Sequence, residues 1–238
     1  MLTETDAITL PPIKYSETSV IAHIYTEQFG NGTYIMNNVR TNRSKMALFQ
    51  PLSYVHLSVI RKKDPKQIHR ITSISFAMVP ANTTTNVYKS TIALFVGEIT
   101  DRIFKEEEQQ LSFFQFLKSF VLLLEESEQY FANLHILYLL HVCRFIGVTP
   151  KNNYSRQTPY FSLRQAQFVE TNEEYETLTI DDSRLFGKIL CTQEITDVVT
   201  LNRLERQHLL HIMMQYYDIH ICKTENIKSL TVLQMVFE

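Results

Sequence analysis

The spacing of apolar residues changes once along this chain, and that change constrains the fold more than any other feature. Before Pro80, apolar residues alternate with polar ones and β-branched and aromatic types are frequent, which is typical of β-strands. After the polar turn at residues 82–86, apolar residues recur every three or four positions, which is typical of helices. The sequence therefore predicts an α+β protein, with strands first and helices second.

Five strands are predicted in the first part, at residues 7–10, 18–25, 33–39, 52–61 and 67–77. In the second strand both alternating sets of side chains are fairly apolar, one set being Val20, Ala22 and Ile24 and the other Ile21, His23 and Tyr25. Asn31-Gly32 follows this strand, and the dipeptide prefers tight hairpin turns because both positions accept positive φ. We therefore expect a small closed barrel in which the second and third strands are antiparallel neighbours.

The second part predicts a helical bundle interrupted by an irregular insert. Two apolar stripes at helical spacing are Ile92, Phe95, Val96, Ile99 and Ile103, and Phe113, Phe116, Leu117, Phe120 and Leu124. Ser127 as N-cap and Gly147 as C′ residue would bracket a third helix. The pattern breaks up at residues 149–179, with short strand-like pieces, and helical spacing returns at residues 183–190, 201–217 and 229–236. The predicted domains are residues 1–80 and 81–238.

Charge is unevenly distributed, although the whole chain carries only −2. Residues 1–80 hold nine Lys or Arg against five acids, a net of +4, so the remainder carries −6. Between Gly30 and Arg70, eight basic residues stand against the single Asp64, a pattern typical of a nucleic-acid footprint. A solvated basic surface has the same composition, so charge alone leaves both interpretations open.

Cysteine usage and hydropathy argue against several classes of protein. The three cysteines, Cys143, Cys191 and Cys222, are widely separated, which favours reduced thiols over a disulfide framework or a zinc site. The longest uncharged stretch in the Leu-rich middle, residues 130–143, has about 14 residues, whereas a membrane span needs about 20. Residues 1–12 have no apolar core behind a basic start, so we expect no secretory signal, no membrane association and a cytoplasmic location.

A catalytic motif is not evident in the sequence. It has no Gly-x-Ser-x-Gly turn, Walker loop or Gly-rich dinucleotide turn, and five glycines leave little room for one. Glu205-x-x-His208, with His211 one turn further on, resembles half of a carboxylate-bridged dimetal site, because residues three apart share a helix face. No second such motif exists in the sequence, so ordinary helix histidines are the simpler interpretation. We predict no catalytic residue, no metal site and no cofactor.

The order and spacing of several motifs resemble the RecO family of recombination mediators, especially its Bacteroidetes-type members. The most specific block comprises Tyr15-Ser16-Glu17-Thr18-Ser19, Tyr25-Thr26-Glu27, Gly30, Val39-Arg40, Arg43-Ser44-Lys45 and Phe49-Gln50-Pro51-Leu52. Further similarity lies in Lys89-Ser90-Thr91-Ile92-Ala93-Leu94-Phe95 with Glu98, Tyr160-Phe161-Ser162-Leu163-Arg164, Arg206, Leu209-Leu210, Tyr216-Tyr217, His220 and Lys228-Ser229-Leu230. The resemblance thus covers nearly the whole chain.

This resemblance implies an N-terminal OB-fold followed by a helical domain. It also implies a mediator that binds single- and double-stranded DNA and anneals complementary strands. Such a mediator acts with RecR to load RecA onto strands coated by single-stranded DNA-binding protein (SSB), which is binding work without a cleavage step. The location that it implies is cytoplasmic and associated with the nucleoid.

The barrel is expected to contact DNA phosphates through its basic residues, and the acidic helical domain to bind partner proteins. The expected DNA-binding residues are Arg40, Arg43, Lys45, Lys62, Lys63, Lys66 and Arg70, with Lys14 at the margin of the set. The apolar, acidic C-terminal tail of SSB needs a hydrophobic groove with a cationic rim. The available rim residues are Arg144, Lys151, Arg164 and Lys188.

Two positions depart from the family pattern. Many relatives carry four zinc-binding cysteines in the insert, whereas residues 150–168 of this chain contain none, so we expect no zinc. Many relatives also have Gly before the basic arm, where this chain has Asn37-Asn38. Asn tolerates a left-handed backbone better than other non-Gly residues, so we expect the turn to persist.

Two other functions remain open. The first is a protein-interaction adaptor on the same scaffold, with weak intrinsic DNA binding that relies on RecR. The near-neutral pI of about 6.5 favours it, because a stand-alone DNA-binding protein is usually more basic. The second is an enzyme, supported by Glu205-x-x-His208 alone.

Overall fold

Five strands form in the first part of the chain, in the order that the alternation predicts. The computed structural model describes residues 2–14, 17–39, 42–62, 64, 67–105, 108–173 and 177–237, with residues 13 and 14 described by their backbone alone. The strands are β1 Leu2–Lys14, β2 Val20–Thr26, β3 Gly30–Met36, β4 Tyr54–Ile60 and β5 His69–Phe76. A short helix between β3 and β4, α1 Arg43–Ala47, is absent from the sequence prediction.

The strands close into a barrel in the order β1-β2-β3-β5-β4. β1 completes the circle by pairing antiparallel with β4, from Leu2 opposite Ile60 to Ile8 opposite Tyr54. The pairing of β3 with β5 is parallel, and the other pairings are antiparallel. A five-stranded Greek-key barrel of this kind is an OB-fold, so the predicted fold class is confirmed.

β1 is 13 residues long, much longer than the predicted strand at residues 7–10. Pro11 and Pro12 lack the N–H that a strand ladder requires, which normally ends a strand. Here they coincide with a register shift between Thr9 and Pro12 in the pairing with β2, and the strand continues beyond them. The long strand can therefore pair with both β2 and β4, which closes the barrel.

The turn between β2 and β3 lies just before Asn31-Gly32. Both of these residues belong to β3 and pair with β2, so the prediction that they form the turn is wrong. The turn is residues 27–29, and Gly30 supplies the positive φ, at 69°. The Thr26 hydroxyl accepts a 3.1 Å hydrogen bond from an N–H in the turn and donates another of 3.1 Å to the Gly30 carbonyl. The antiparallel pairing of β2 with β3 is as predicted.

Both faces of β2 are apolar for different reasons. Its inward side chains join a core made of Ala7, Val20, Ala22, Ile24, Tyr34, Val39, Leu48, Phe49, Val55, Leu57, Val59 and Ile71. On the outer face, Tyr25 meets Phe104 and Phe113 edge-on, at ring-centroid distances of 5.9 and 5.0 Å. These phenylalanines lie after helix α3, Val87–Ile103, and in helix α4, Leu111–Glu126. The inward side chains of β2 therefore fill the barrel, and residues in and after the helices cover its outer face at Tyr25.

Contacts divide the chain into two units, Met1–Glu126 and Ser127–Glu238. Helices α3 and α4, with the short helix α2 Ala81–Thr85 before them, lie within the first unit. The change of apolar spacing at Pro80 marks the end of the barrel. The division of the protein into domains at residues 80 and 81 stays a prediction.

The second unit is mainly helical and contains the irregular insert. Its helices are α5 Leu134–Phe145, α6 Ile180–Leu190, α7 Arg203–His220 and α8 Lys228–Phe237. In the insert, β6 Tyr160–Ser162 and β7 Gln167–Val169 form an antiparallel pair, close to the predicted short strands. None of the helices in the described ranges combines the length and apolarity needed to cross a membrane.

Of the two predicted ends of α5, the C-terminal end is confirmed and the N-terminal end is wrong. Gly147 follows the C-cap Ile146 with φ 76°, as predicted for a C′ residue. Ser127 is not the N-cap, because α5 begins only at Leu134. Tyr130, with a left-handed φ of 62°, precedes a turn of 3-10 helix, Phe131–Asn133, that leads into α5.

Candidate nucleic-acid interface

The strand pairing brings three basic segments to one end of the barrel. Because β3 and β5 are parallel, with Ile35 beside Arg70, the end of β3 lies near the start of β5. Because β4 and β5 are antiparallel, with Ile60 opposite Arg70, the end of β4 lies there as well. The chain leaves this end towards α1 and crosses it again between β4 and β5. We call it the basic end.

Helix α1 holds two of the predicted DNA-binding residues. Asn42 caps it, since the Asn42 side chain accepts a 3.2 Å hydrogen bond from the Lys45 N–H. Arg43 is exposed and Lys45 is half-buried, with no acid in the first turn. Upstream, Asn38 has φ 58°, so the predicted left-handed Asn is confirmed. The segment is then held to the barrel by a 2.9 Å hydrogen bond from the Val39 N–H to the Thr18 carbonyl.

Lys62 and Arg70 lie on opposite sides of the β4–β5 connection. The Lys62 N–H donates to Nδ1 of the buried His69 over 3.2 Å, which fixes the start of the connection, and the Lys62 side chain is exposed. Arg70 is exposed on the outer face of β5, since its neighbours His69 and Ile71 point inward. Among the predicted cations, Arg40, Lys63, Lys66 and the side chain of Lys14 lie outside the described residues.

Most aromatic residues near the predicted cations are structural. Tyr25, Tyr34 and Phe49 are no more than 1% exposed, and Tyr54 is 7% exposed. Phe29 is half-buried in the β2–β3 turn, where the Arg61 guanidinium covers its ring at 3.8 Å from the centroid. The described basic end therefore offers charge to a ligand rather than free aromatic faces.

A cleft beside α3 holds charged residues that were not predicted from the sequence as site residues. Its volume is about 470 Å³, and its walls include His23 and Thr33 from the barrel and Glu98, Asp101, Arg102 and Lys105 from α3 and its end. Alternation along β2 places His23 on the outer face, which was a signal available in the sequence. We call this site the α3 cleft.

Two of the predicted rim residues of the second unit, Arg144 and Lys188, have structural partners. Arg144 donates to the backbone carbonyls of Gln193 and Thr192, at 2.6 and 3.2 Å. Lys188 pairs with Glu205 at 2.5 Å. Lys151 and Arg164 are exposed, and the Lys151 N–H donates to Ala166 in the same β6–β7 turn as Arg164.

A groove of about 310 Å³ lies between α5, α7 and α8 of the second unit. Its walls include His135, Arg206, Leu210, Leu233 and Phe237. The Arg206 guanidinium donates to Asn133 over 3.2 Å and lies 5.5 Å from the Phe237 ring centroid. Burial, with the charge of Arg206 nearby, lowers the pKa of His135 to about 3, so this histidine is neutral near pH 7. The α7–α8 groove thus combines apolar walls with one cation.

Glu205 and His208 are explained by helix capping and ion pairing. Glu205 and Asn202 form a capping box, in which each side chain accepts a 2.9 Å hydrogen bond from the other residue's N–H. His208 Nε2 lies 2.7 Å from an Asp182 carboxylate oxygen. Within the described ranges, no three His, Cys, Asp or Glu side chains are grouped so that they could hold a metal ion.

Comparison of the sequence with known proteins finds one matching family model and several relatives that are similar over the full length of the chain. The model "Recombination protein O N terminal" matches residues 1–77, which end just after β5. A DNA repair protein RecO of Bacteroides fragilis is 30% identical over 251 residues, covering 100% of both chains. This chain belongs to the RecO family. The RecO protein of Flavobacterium psychrophilum is also 30% identical, over 241 residues and 100% of both chains. That of Chlorobium limicola is 22% identical over 255 residues and 98% of each chain.

Family membership confirms the resemblance found in the sequence. The Bacteroides and Flavobacterium relatives are of the Bacteroidetes type that the motifs indicated. The RecO relatives match over the full length of the chain, so both units lie within the similarity.

Proposed function

We propose that this protein is a recombination mediator in DNA repair. In this role it binds single- and double-stranded DNA, anneals complementary strands and, with RecR, helps to load RecA onto SSB-coated single strands. The observation that carries the proposal is full-length similarity to proteins named DNA repair protein RecO. The concentration of basic residues at one end of an OB-fold supports it, since that fold commonly binds oligonucleotides.

The proposed DNA surface comprises the predicted cations Arg40, Arg43, Lys45, Lys62, Lys63, Lys66, Arg70 and Lys14. Phosphate contacts by Lys and Arg release counterions, so binding of this kind is independent of sequence and weakens steeply with salt. A basic surface that screens two backbones lowers their mutual repulsion while base pairing supplies specificity. Annealing therefore needs no covalent step, and we propose none.

Annealing of two complementary oligonucleotides, one with a fluorophore and one with a quencher, tests this proposal. We expect the protein to accelerate annealing at low salt, and the acceleration to disappear as salt rises. An identical rate with and without protein at low salt would contradict the annealing role.

The alternative is an adaptor whose DNA affinity is weak until RecR binds. The near-neutral pI of about 6.5 favours this alternative. Measuring the affinity for a single strand with and without RecR separates the two roles. Tight binding by the protein alone supports the mediator, whereas binding that needs RecR supports the adaptor.

We also propose that the second unit binds the apolar, acidic tail of SSB in the α7–α8 groove. The apolar walls suit the tail's side chains, and Arg206 suits its carboxylates. The rim residues Arg144, Lys151, Arg164 and Lys188 remain candidates for longer-range attraction. In a tail-peptide titration, we expect Arg206→Gln to weaken binding and Lys223→Gln, at an exposed position outside the groove, to leave it unchanged. Absence of binding by the parent protein would remove the claim.

A further inference from the structure

The α3 cleft is built around a histidine fixed by a carboxylate. His23 Nδ1 lies 2.6 and 2.8 Å from the two oxygens of Asp101, and the Asn31 amide donates to Asp101 over 3.1 Å. Because Nδ1 faces a carboxylate, it carries a proton, and Nε2 is the ring nitrogen that can meet a ligand. About a third of the His23 side chain, 31%, remains exposed. The ring is therefore held in place with one edge accessible.

The charge of the cleft depends on the second proton of His23. When His23 is protonated, three cations, His23, Arg102 and Lys105, face two carboxylates, Glu98 and Asp101. Arg102 pairs with Glu98 at 3.8 Å, and His23 pairs with Asp101. Lys105 is exposed and makes no hydrogen bond or ion pair with the described residues. Among the described residues that line the cleft, its protonated form thus has an excess of one positive charge.

The Asp101 carboxylate favours this protonated form. The hydrogen bond to Asp101 raises the pKa of His23 above its ordinary value, although burial acts in the opposite direction. Its neighbours on β3, Asn31 and Thr33, are uncharged. Among the described acids nearby, Glu108 acts on Tyr25, whose pKa is raised by burial and, to a lesser extent, by the Glu108 charge.

The cleft and the basic end share one outer surface of the barrel. His23 on β2 pairs with Thr33 on β3, and Arg70 on β5 lies beside Ile35, two positions further along β3. Thr33 and Ile35 point to the same side, because side chains two apart share a face. With strands about 4.8 Å apart and a rise of about 3.4 Å per residue, His23 and Arg70 are separated by roughly 12 Å. A DNA strand a few nucleotides long can reach from one to the other.

We propose that the α3 cleft is a phosphate subsite for a single DNA strand, in which His23, Arg102 and Lys105 extend the basic end across the outer face of β2 and β3. The proposal rests on the proposed function, since it assumes that the barrel binds DNA. The strand crosses β5, β3 and β2 in turn, and its phosphate in the cleft contacts His23 Nε2 and Lys105. The contact between this phosphate and His23 strengthens as the pH falls through the pKa of His23.

Fluorescence anisotropy with a labelled oligo(dT) strand, over a salt series at about pH 6 and about pH 9, tests the subsite. Each phosphate contact contributes about 0.7 to the slope of log affinity against log salt for single strands. We expect the parent protein to show a steeper slope at the lower pH. His23→Gln keeps an amide donor for Asp101, and we expect it to lose this pH-dependent part.

Lys105→Ala provides a second test, because the exposed side chain can be removed without affecting packing. We expect it to reduce the slope by about 0.7 at both pH values and the affinity several-fold at low salt. Lys223→Ala, an exposed charge-matched control in the second unit, should leave both unchanged. Circular dichroism on each variant checks that it is folded.

The outcomes separate the subsite from the proposed function. If the parent binds the strand and both His23→Gln and Lys105→Ala show the same salt slopes as the parent, the subsite is wrong. DNA binding by the barrel then still stands. If the parent does not bind the strand at low salt, the proposed function fails, and the subsite with it.

Discussion

At the scale of single residues, Glu125 shows how one buried carboxylate organises a helix start. The side chain accepts hydrogen bonds from the N–H groups of Asn82 and Thr83, at 2.6 and 2.8 Å, at the beginning of α2. Its backbone carbonyl accepts from the Lys89 ammonium at 2.9 Å. Burial alone would raise the pKa of Glu125, but these N–H donors and the charge of Lys89 outweigh it and lower the pKa.

We predict that Glu125→Gln lowers the free energy of unfolding by about 2 kcal/mol, because two charge-assisted hydrogen bonds are weakened. The contribution of the native carboxylate is present above the ordinary Glu pKa and is lost as the pH falls through its lowered value. Urea denaturation at neutral and acidic pH measures both effects. Glu126→Gln, at the exposed neighbouring position, is the control. Equal losses in the two variants would contradict this account.

At the scale of elements, the β2–β3 turn depends on a glycine that has a positive φ and a close backbone neighbour. Gly30 has φ 69°, and a Cβ built on it would lie 2.2 Å from the Glu108 carbonyl oxygen. Gly147 has a similar φ of 76°, but a Cβ there would have no heavy atom within 4 Å. Substitution of Gly147 therefore measures backbone strain alone, whereas substitution of Gly30 adds steric overlap.

We predict that Gly147→Ala costs about 1 kcal/mol, the price of a left-handed Ala, and that Gly30→Ala costs clearly more. Thermal or urea denaturation of the two variants beside the parent gives the comparison. A loss at Gly30 no larger than that at Gly147 would show that the Glu108 backbone moves aside freely.

Much of the element order could be predicted, because period and turn chemistry are local. Alternation located the strands, and Asn38 and Gly147 could be recognised from their tolerance of positive φ. The position of the β2–β3 turn could not, since Asn31-Gly32 has hairpin chemistry while the tertiary pairing selects Gly30. Helix α1 is too short, at five residues, to show a helical period.

The candidate site was predictable in its composition but not in its shape. The run of cations between Gly30 and Arg70 is visible in the sequence. The basic end depends on the parallel pairing of β3 with β5, which no local pattern specifies. The α3 cleft depends on the contact of His23 with Asp101, residues that are 78 positions apart. The roles of the individual cations stay predictions.

At the scale of the whole molecule, the two units carry histidines with opposite pH behaviour. In the first unit, the pKa of His23 is raised by its bond to Asp101. In the second, burial, aided by neighbouring arginines, lowers the pKa of His135 to about 3 and of His141 to about 4. The stability from His23 is present at low pH and is lost as the pH rises through its pKa. The two buried histidines cost stability as the pH falls below the unfolded value of 6.5.

We predict that acid opens the second unit before the first. Between about pH 6.5 and 4, each buried histidine makes the unfolded state bind up to one more proton, which costs about 1.4 kcal/mol per pH unit. Hydrogen exchange of the intact protein, corrected for the intrinsic rate, should show α5 losing protection at a higher pH than β2. Loss of protection in β2 first would contradict the assignment.

The proposed function depends most on the binding of DNA phosphates by the basic end of the barrel. Its most direct test is the salt dependence of oligo(dT) binding by an Arg43→Ala, Lys45→Ala, Arg70→Ala triple variant. Arg156→Ala, Arg184→Ala, Lys223→Ala, which removes three exposed cations from the second unit, is the charge-matched control. We expect the slope of log affinity against log salt to fall by about 2 in the first variant and to be unchanged in the control. Equal affinity and slope for the first variant and the parent at every salt concentration would contradict it.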